Sequence, residues 1–145
     1  MKTQPKQTTS SKGSGSYLLE DFSGHEVELK RLQRQANLLP DIEKNALIRQ
    51  GLKPDHDVLD LACGPGLTSC MIDSCLTTGS VIGVDYDANM IRAAKAISLE
   101  RGHDIHFSQG DVYQLPEEMN ESFDFVYCRF LFQHLQNPEK ALQSI

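Results

Sequence analysis

The chain has 145 residues, enough for one domain, and 39% of them are hydrophobic, which supports a packed core. The formal net charge is −6, yet Lys2, Lys6 and Lys12 are the only charged side chains among residues 1–16. The remainder is therefore more acidic than the net charge indicates, and it lacks the basic footprint that grips a phosphate backbone. This balance argues against a nucleic-acid partner.

Residues 1–16 are polar and contain no apolar stretch of the kind found in signal peptides, so we expect a disordered leader. No apolar run approaches the roughly 20 residues that a membrane span requires, so no membrane partner is expected. The cysteines show no Cys-x-x-Cys pairing, as is typical of reduced thiols in a cytoplasmic protein.

No metal site is expected, because neither the cysteines nor the histidines have the spacing of metal ligands. The residues concerned are Cys63, Cys70, Cys75, Cys128, His25, His56, His103 and His106.

Two helices are predicted before the first strand. Between Glu26 and Leu39, apolar residues recur at helical spacing with charged residues between them. Pro40 interrupts this pattern, and Asp41 is in position to cap a second helix that extends through Ile48.

From Asp57 onward, short apolar strands alternate with helical segments. Strand–helix–strand units with right-handed crossovers predict an α/β fold with a doubly wound, mostly parallel sheet. The predicted segments, in chain order, are strand Val58–Ala62, helix Leu67–Leu76, strand Val81–Val84, a helix capped by Asp87 and closed by Gly102, strand Ile105–Ser108, strand Phe123–Cys128, helix Phe130–Leu135 and a helix that starts at Asn137-Pro138.

A glycine turn follows the first strand. Gly64 and Gly66 permit positive φ angles and bring bare backbone close to a ligand, next to the start of a helix. Dinucleotide-binding folds have similar turns, but their first strand normally has no acid at its tip and they favour a small residue where Ser69 stands. Asp60 would repel a pyrophosphate, and it suits a nucleoside with a cationic tail.

Each predicted strand ends in a polar residue. Parallel strands bind ligands at their carboxyl ends, where Asp60, Asp85 and Asp111 follow the first three strands. An acid after one strand is commonly only a turn residue, but three in succession point to one nucleoside site. Cys128 and Arg129 end the fourth strand beside the switch point, which makes them further candidates for that site.

These motifs resemble those of class I S-adenosylmethionine-dependent methyltransferases over residues 17–145. VLDLACGPG is similar to the first motif of the family, VIGVDYD to the second, GDVYQLP to the third and FDFVYCRFLFQHL to the fourth. The resemblance implies a Rossmann-like methyltransferase fold with S-adenosylmethionine as cofactor. Its methionine part would be held by Asp60, Ala62, Cys63, Gly64 and Gly66.

The resemblance also assigns the nucleoside contacts. It implies that Asp85 binds the ribose hydroxyls and that Tyr86 and Met90 flank the adenine. Asp111 and Val112 would bind the edge of the adenine ring.

The N-terminal stretch is similar to that of a bacterial subgroup of small-molecule methyltransferases, in which a leading tyrosine and a helix close over the cofactor. Tyr17, Arg31 and Gln35 are therefore site candidates, and residues 17–52 form a predicted helical lid ahead of the cofactor domain at 53–145. A solvated helix face explains Arg31 and Gln35 equally well.

Methyl transfer from a sulfonium requires mainly that a nucleophile be held in line and water excluded, so a general base is optional. His134 is a candidate for that base, although a helix histidine is more often structural or exposed. Arg129 could neutralise an acidic substrate or pair with Asp60 or another site carboxylate.

The family's sheet has seven strands, whereas only four are predicted here. The apolar fourth strand would then expose an open edge, which favours self-association. The chain is either the N-terminal part of a longer enzyme or a natural truncation that needs a partner over that edge.

The function predicted is methyl transfer to a small-molecule acceptor by direct displacement. A noncatalytic nucleotide- or cofactor-binding module is the alternative from another class. An NAD(P)-dependent oxidoreductase is the less favoured enzyme alternative, because Asp60 opposes a pyrophosphate.

Overall fold

The computed structural model describes residues 22–36 and 40–145, in which helices and parallel strands alternate. Tyr17, the leader and Leu39 lie outside the described residues. The elements are α1 (Phe22–Ala36), α2 (Pro40–Arg49), β1 (Asp57–Leu61), α3 (Leu67–Asp73), β2 (Ser80–Asp85), α4 (Ala88–Glu100), β3 (His106–Gln109), β4 (Phe125–Cys128) and α5 (Pro138–Gln143), with single 3₁₀ turns at Glu117–Met119 and Phe132–His134.

The described strands form one parallel sheet in the order β3-β2-β1-β4, which confirms the predicted fold class. The chain builds outward from β1 to β3 and then returns to the opposite side of β1 with β4. The order therefore reverses between β1 and β4, where an open α/β sheet forms its ligand crevice. In that register Asp60 lies between Gly83 of β2 and Tyr127 of β4.

Alternation along the strands divides the core between the two faces of the sheet. Val58 and Phe107 pack beneath α2, α3 and α4, together with Leu47, Ile72 and Ala94. The opposite face buries the alternate residues of β1 and Val84 of β2, beneath the segment that follows β3. They are Leu59, Leu61 and Val84, with Val112, Leu115, Phe123, Cys128 and Leu131 packed against them.

Two predicted helix starts are confirmed and one is wrong. The Asp87 side chain accepts a hydrogen bond from the Asn89 amide (2.8 Å), and Asn137 accepts from Lys140 (3.0 Å), as cap residues do. Asp41 does not cap α2, because the helix already begins at Pro40, whose fixed φ suits the first turn.

Several predicted boundaries shift: the strands β1, β2 and β3 by one residue, and α1, predicted between Glu26 and Leu39, to Phe22–Ala36. Two further shifts follow from hydrogen bonds to neighbouring segments, which shorten the element. α3 stops at Asp73 instead of Leu76, since the chain turns there so that the amides of residues 77–79 can donate to the Pro54 carbonyl. β4 starts at Phe125 instead of Phe123, after Asp124 has bonded to Asp57 through both its amide and its carboxylate.

The helix predicted over Phe130–Leu135 is wrong. Phe130 has φ +60°, a left-handed conformation that is costly for a bulky side chain and incompatible with a right-handed helix. Only a 3₁₀ turn at Phe132–His134 follows it. In the part of the chain described, no helix is long and apolar enough to cross a membrane.

Candidate functional site

The carboxyl ends of the strands open into a cavity of about 450 Å³ beside the switch point. Its walls come from α1, from the turn after β1 and from the segments that follow β2, β3 and β4. The predicted site residues among its lining are Arg31, Asp60, Ala62, Cys63, Gly64, Asp85, Tyr86, Met90, Asp111, Val112, Arg129 and His134.

Asp60 lies at the base of this cavity and is only 2% exposed. Its carboxylate accepts a hydrogen bond of 2.6 Å from the Ser69 hydroxyl at the start of α3. Burial raises the pKa of Asp60 to about 7, although the Ser69 bond and the positive charge of Arg129 both oppose the shift. A cation entering the cavity would restore the ionised form.

The turn after β1 brings backbone amides to the cavity. Gly64 and Gly66 have φ angles of +55° and +74°. Ala62, which directly follows β1, is also left-handed, with a φ of +57°. At Gly66 a Cβ would lie 2.8 Å from the Phe107 ring, so the turn packs against the core without space for a side chain. Gly66 itself does not line the cavity.

Asp85 ties this turn to the end of β2. Its Oδ2 accepts from the Gly64 amide (2.8 Å) and its Oδ1 accepts from the Asp87 amide (2.9 Å). Burial is the main cause that raises the pKa of Asp85, against the lowering effect of these bonds. Each carboxylate oxygen has a second lone pair, so both can also accept from a ligand hydroxyl.

Tyr86 and Met90 form the wall beyond Asp85. Tyr86 is 44% exposed at the rim and Met90 is 8% exposed beneath it. The Gln109 side chain donates to the Tyr86 carbonyl (2.9 Å), which joins the ends of β2 and β3. These side chains leave a slot with one aromatic and one thioether surface.

Asp111 stabilises a local turn and also lines the cavity. Its Oδ1 accepts from the Tyr113 amide (2.9 Å), which is the local bond of an Asx turn. The carboxyl is half-buried and faces the cavity together with Val112. All three acids at the strand ends are therefore brought to the same crevice.

Arg129 pairs with a residue that the sequence analysis did not single out. Its Nη1 donates to both carboxylate oxygens of Glu43 in α2, at 2.9 and 3.1 Å, and Glu43 also accepts 2.7 Å from the Tyr127 hydroxyl. The ion pair of Arg129 is thus with Glu43 and not with Asp60. The sequence does contain one indication of this. Side chains along a strand alternate between the two sheet faces, which places residues 127 and 129 on the face that carries Asp60.

The remaining candidates are placed less centrally. Cys128 packs in the core on the opposite sheet face and does not line the cavity. Arg31 lines it from α1 and pairs with Glu28, whereas Gln35 is placed only as a residue of that helix. His134 is exposed at the lip, 3.0 Å from Gln133. Among residues 22–36 and 40–145, no group of three His, Cys, Asp or Glu side chains could hold a metal ion.

Solved structures share this fold. A SAM-dependent methyltransferase from Aquifex aeolicus aligns with a TM-score of 0.71 at 21% identity, over 81% of this chain and 63% of that chain. The YcgJ protein of Bacillus subtilis aligns with a TM-score of 0.63 at 28% identity, over 70% of this chain and 43% of that one. The architecture is therefore the Rossmann-like methyltransferase fold.

Sequence comparison gives the family. Residues 58–145 match a family model described as a methyltransferase domain. A ubiquinone/menaquinone biosynthesis C-methyltransferase of Bdellovibrio bacteriovorus is 37% identical over 66% of this chain and 40% of its own length, and a demethylmenaquinone methyltransferase of Leptospira interrogans is 32% identical over 74% and 45%. The chain belongs to the methyltransferase domain family and spans less than half the length of these curated relatives.

Proposed function

We propose that this chain carries the cofactor-binding part of an S-adenosylmethionine-dependent methyltransferase that acts on a small molecule by direct displacement. The observation that carries the proposal is the convergence of Asp60, Asp85 and Asp111 on one cavity beside the glycine turn. Three acids at successive strand ends fit a nucleoside with a cationic tail, and they oppose the pyrophosphate of a dinucleotide.

The residues present fit such a cofactor. Asp60 at the base of the cavity would hold the cationic methionine part together with the amides of the turn at Ala62–Gly64. Asp85 would accept from the ribose diol, and Tyr86 and Met90 would enclose the adenine. Asp111 and Val112 would bind the edge of the ring.

When bound, S-adenosylmethionine supplies an electrophilic methyl group. The chain contributes position and exclusion of water, since the cavity is closed below by the sheet and on one side by α1. His134, which is exposed at the lip of the cavity, would act as general base where the methyl acceptor has to lose a proton. Arg31, with Tyr17 and Gln35, would belong to a lid formed by residues 17–52.

The proposed class of methyl acceptor, a small molecule, is supported by the names of relatives and by the charge of the chain. The relatives named above are quinone-biosynthesis methyltransferases by their names, and a small planar acceptor would reach the cavity past Phe130 and His134. The acidic charge balance favours a small molecule over nucleic acid. We also propose that the protein is cytoplasmic, because its cysteines show the pattern of reduced thiols.

Calorimetric titration with S-adenosylmethionine and, separately, with NAD tests the cofactor. Binding of the first and none of the second is expected. Asp85→Ala should weaken binding by about 1–3 kcal/mol, because it leaves ligand hydroxyls without an acceptor. The exposed Asp104→Ala is the matched control and should bind as the unmodified chain does.

Folded protein that takes up no S-adenosylmethionine would refute the proposed cofactor. Binding of NAD instead would favour the oxidoreductase alternative.

A further inference from the structure

Three side chains outside the proposed cofactor contacts form a bonded cluster above β4. Glu43 of α2 accepts from the Tyr127 hydroxyl and from the Arg129 guanidinium. Tyr127 and Arg129 line the cavity, whereas Glu43 lies behind them and does not. Glu43 therefore acts on the cavity through its two bonded partners and through the effect of its own charge on Asp60.

The cluster is adjacent to Asp60. Tyr127 is the register partner of Asp60 in the pairing of β1 with β4. Arg129 follows Tyr127 by two residues, so alternation directs it to the same side of the sheet. The positive charge of Arg129 also acts on the Asp60 carboxyl directly.

This charge is poorly screened by solvent. The Arg129 and Glu43 side chains are only 26% and 22% exposed, so a single unpaired charge at this position would act strongly on its neighbours. An unpaired arginine here would compete for Asp60 and repel a cation in the cavity. Paired with Glu43, whose negative charge acts on Asp60 in the opposite direction, it does both to a smaller extent.

We propose that Glu43 is a positioning residue that holds Arg129 in an ion pair and cancels its charge, so that Asp60 serves the cationic part of the ligand. This inference rests on the proposed cofactor. It adds an explanation of how a sulfonium can bind in a cavity that is lined by a positively charged arginine. Because Glu43 does not line the cavity, it would touch neither the cofactor nor the acceptor.

The decisive experiment compares two ligands that differ in charge at sulfur. Glu43→Gln removes the negative charge and retains a hydrogen-bond acceptor for Tyr127. We expect it to weaken binding of S-adenosylmethionine about tenfold and binding of neutral-sulfur S-adenosylhomocysteine much less. The double variant Glu43→Gln with Arg129→Gln should return S-adenosylmethionine affinity to within about twofold of the unmodified chain.

Glu26→Gln is the matched control. Glu26 forms an exposed ion pair with Lys30 in α1, and neither residue lines the cavity. Both ligands should bind this variant as they bind the unmodified chain. Equal losses for the two ligands in Glu43→Gln, without restoration in the double variant, would mean that Glu43 only supports the fold and would overturn the proposal. Tighter binding of both ligands would overturn it too, because Arg129 would then be engaging their carboxylate.

A measurement on the ligand-free protein tests this inference independently of whether the proposed cofactor binds. Carboxyl carbon NMR of Asp60 should show its titration midpoint in Glu43→Gln lower by about one pH unit, since the charge of Glu43 no longer raises the pKa and the unpaired arginine favours the ionised form. The titratable, charged and hydrogen-bonding groups that interact with Asp60 are Arg129, Tyr127, Asp85, Glu43, Cys63, Cys128 and Ser69. An unchanged midpoint would refute the inference even if S-adenosylmethionine binds. A midpoint that falls in Glu43→Gln and rises again in the double variant with Arg129→Gln would support it even if the cofactor does not bind.

Discussion

At the scale of single residues, Asp60 combines a stability cost with the binding role that we propose for it. A carboxyl that is 2% exposed and whose hydrogen bond within the described residues comes from Ser69 is poorly solvated when it is ionised. Because burial raises its pKa to about 7, the ionised form that would suit a cation destabilises the ligand-free fold at neutral pH and above.

Asp60→Asn should therefore stabilise the ligand-free protein at pH 8 by on the order of 2 kcal/mol. The folded carboxyl has a pKa of about 7 and the unfolded one a lower value, so its destabilising effect is complete above pH 7 and diminishes as the pH falls toward 4. Thermal unfolding at pH 8 and pH 5 measures this, and the gain should shrink at pH 5. The exposed Asp104→Asn should change neither midpoint, and an Asp60→Asn protein less stable at pH 8 would contradict the prediction.

Affinity for S-adenosylmethionine should fall about tenfold between pH 8 and pH 6. The ionised fraction of a carboxyl with a pKa of about 7 drops by that factor over this interval, and the cation binds the ionised form. Titrations at several pH values check this, with Asp60→Asn expected to bind weakly and without this dependence. A steeper fall in Asp60→Asn than in the unmodified chain would assign the effect to another group.

The position of Asp60 could be predicted from sequence, but its partners could not. An acid at the tip of an apolar strand before a glycine turn is a local pattern. Its bond to Ser69 depends on how the turn returns the start of α3 over the strand, and the contact of Glu43 with Arg129 joins residues 86 positions apart. Such pairs are set by tertiary packing, which a single sequence does not specify.

At the scale of elements, the glycine turn connects β1 to α3 under two separate constraints. Gly66 has φ +74°, and a Cβ there would meet Phe107 at 2.8 Å and Ala94 at 3.0 Å. Gly102, after α4, has a similar φ of +77° but nothing within 4 Å of a Cβ. The two glycines therefore share a backbone requirement and differ in packing.

Gly66→Ala should cost about 1–3 kcal/mol more unfolding free energy than Gly102→Ala. Both changes place an alanine in the left-handed region at about 1 kcal/mol, but only the first also overpacks the core. Denaturant unfolding of the two variants gives the difference directly. Equal losses would show that the Phe107 ring moves aside at no cost.

Element order was predictable, and element ends were less so. The alternation of apolar runs and the caps at Asp87 and Asn137 are local signals, and they identified the strands and helices in the right order. The end of α3 depends on hydrogen bonds to the Pro54 carbonyl, and the helix expected after β4 is prevented by the left-handed Phe130. The first is decided by a contact between segments more than 20 residues apart, and the second by a backbone conformation that no local sequence signal indicates.

At the scale of the whole molecule, the sheet order leaves β4 with one paired neighbour. Within residues 22–36 and 40–145, β4 pairs with β1 and no strand lies along its other edge. Val126 and Phe130 on and beyond this strand are 40% and 53% exposed. An open apolar edge of this kind favours pairing with a second strand.

Where no further strand of a longer protein covers this edge, we propose that the 145-residue chain self-associates through β4, with a second copy along its outer edge. Val126→Lys should shift the chain toward monomer, because a charged side chain on an edge strand opposes pairing. Sedimentation velocity over a range of micromolar concentrations measures the shift. Leu99→Lys is the matched control, since Leu99 is 79% exposed on α4 and removing it takes away apolar surface without touching the sheet edge. If Val126→Lys and the unmodified chain sediment alike while Leu99→Lys dissociates, the contact between copies lies on α4 and not on the sheet edge.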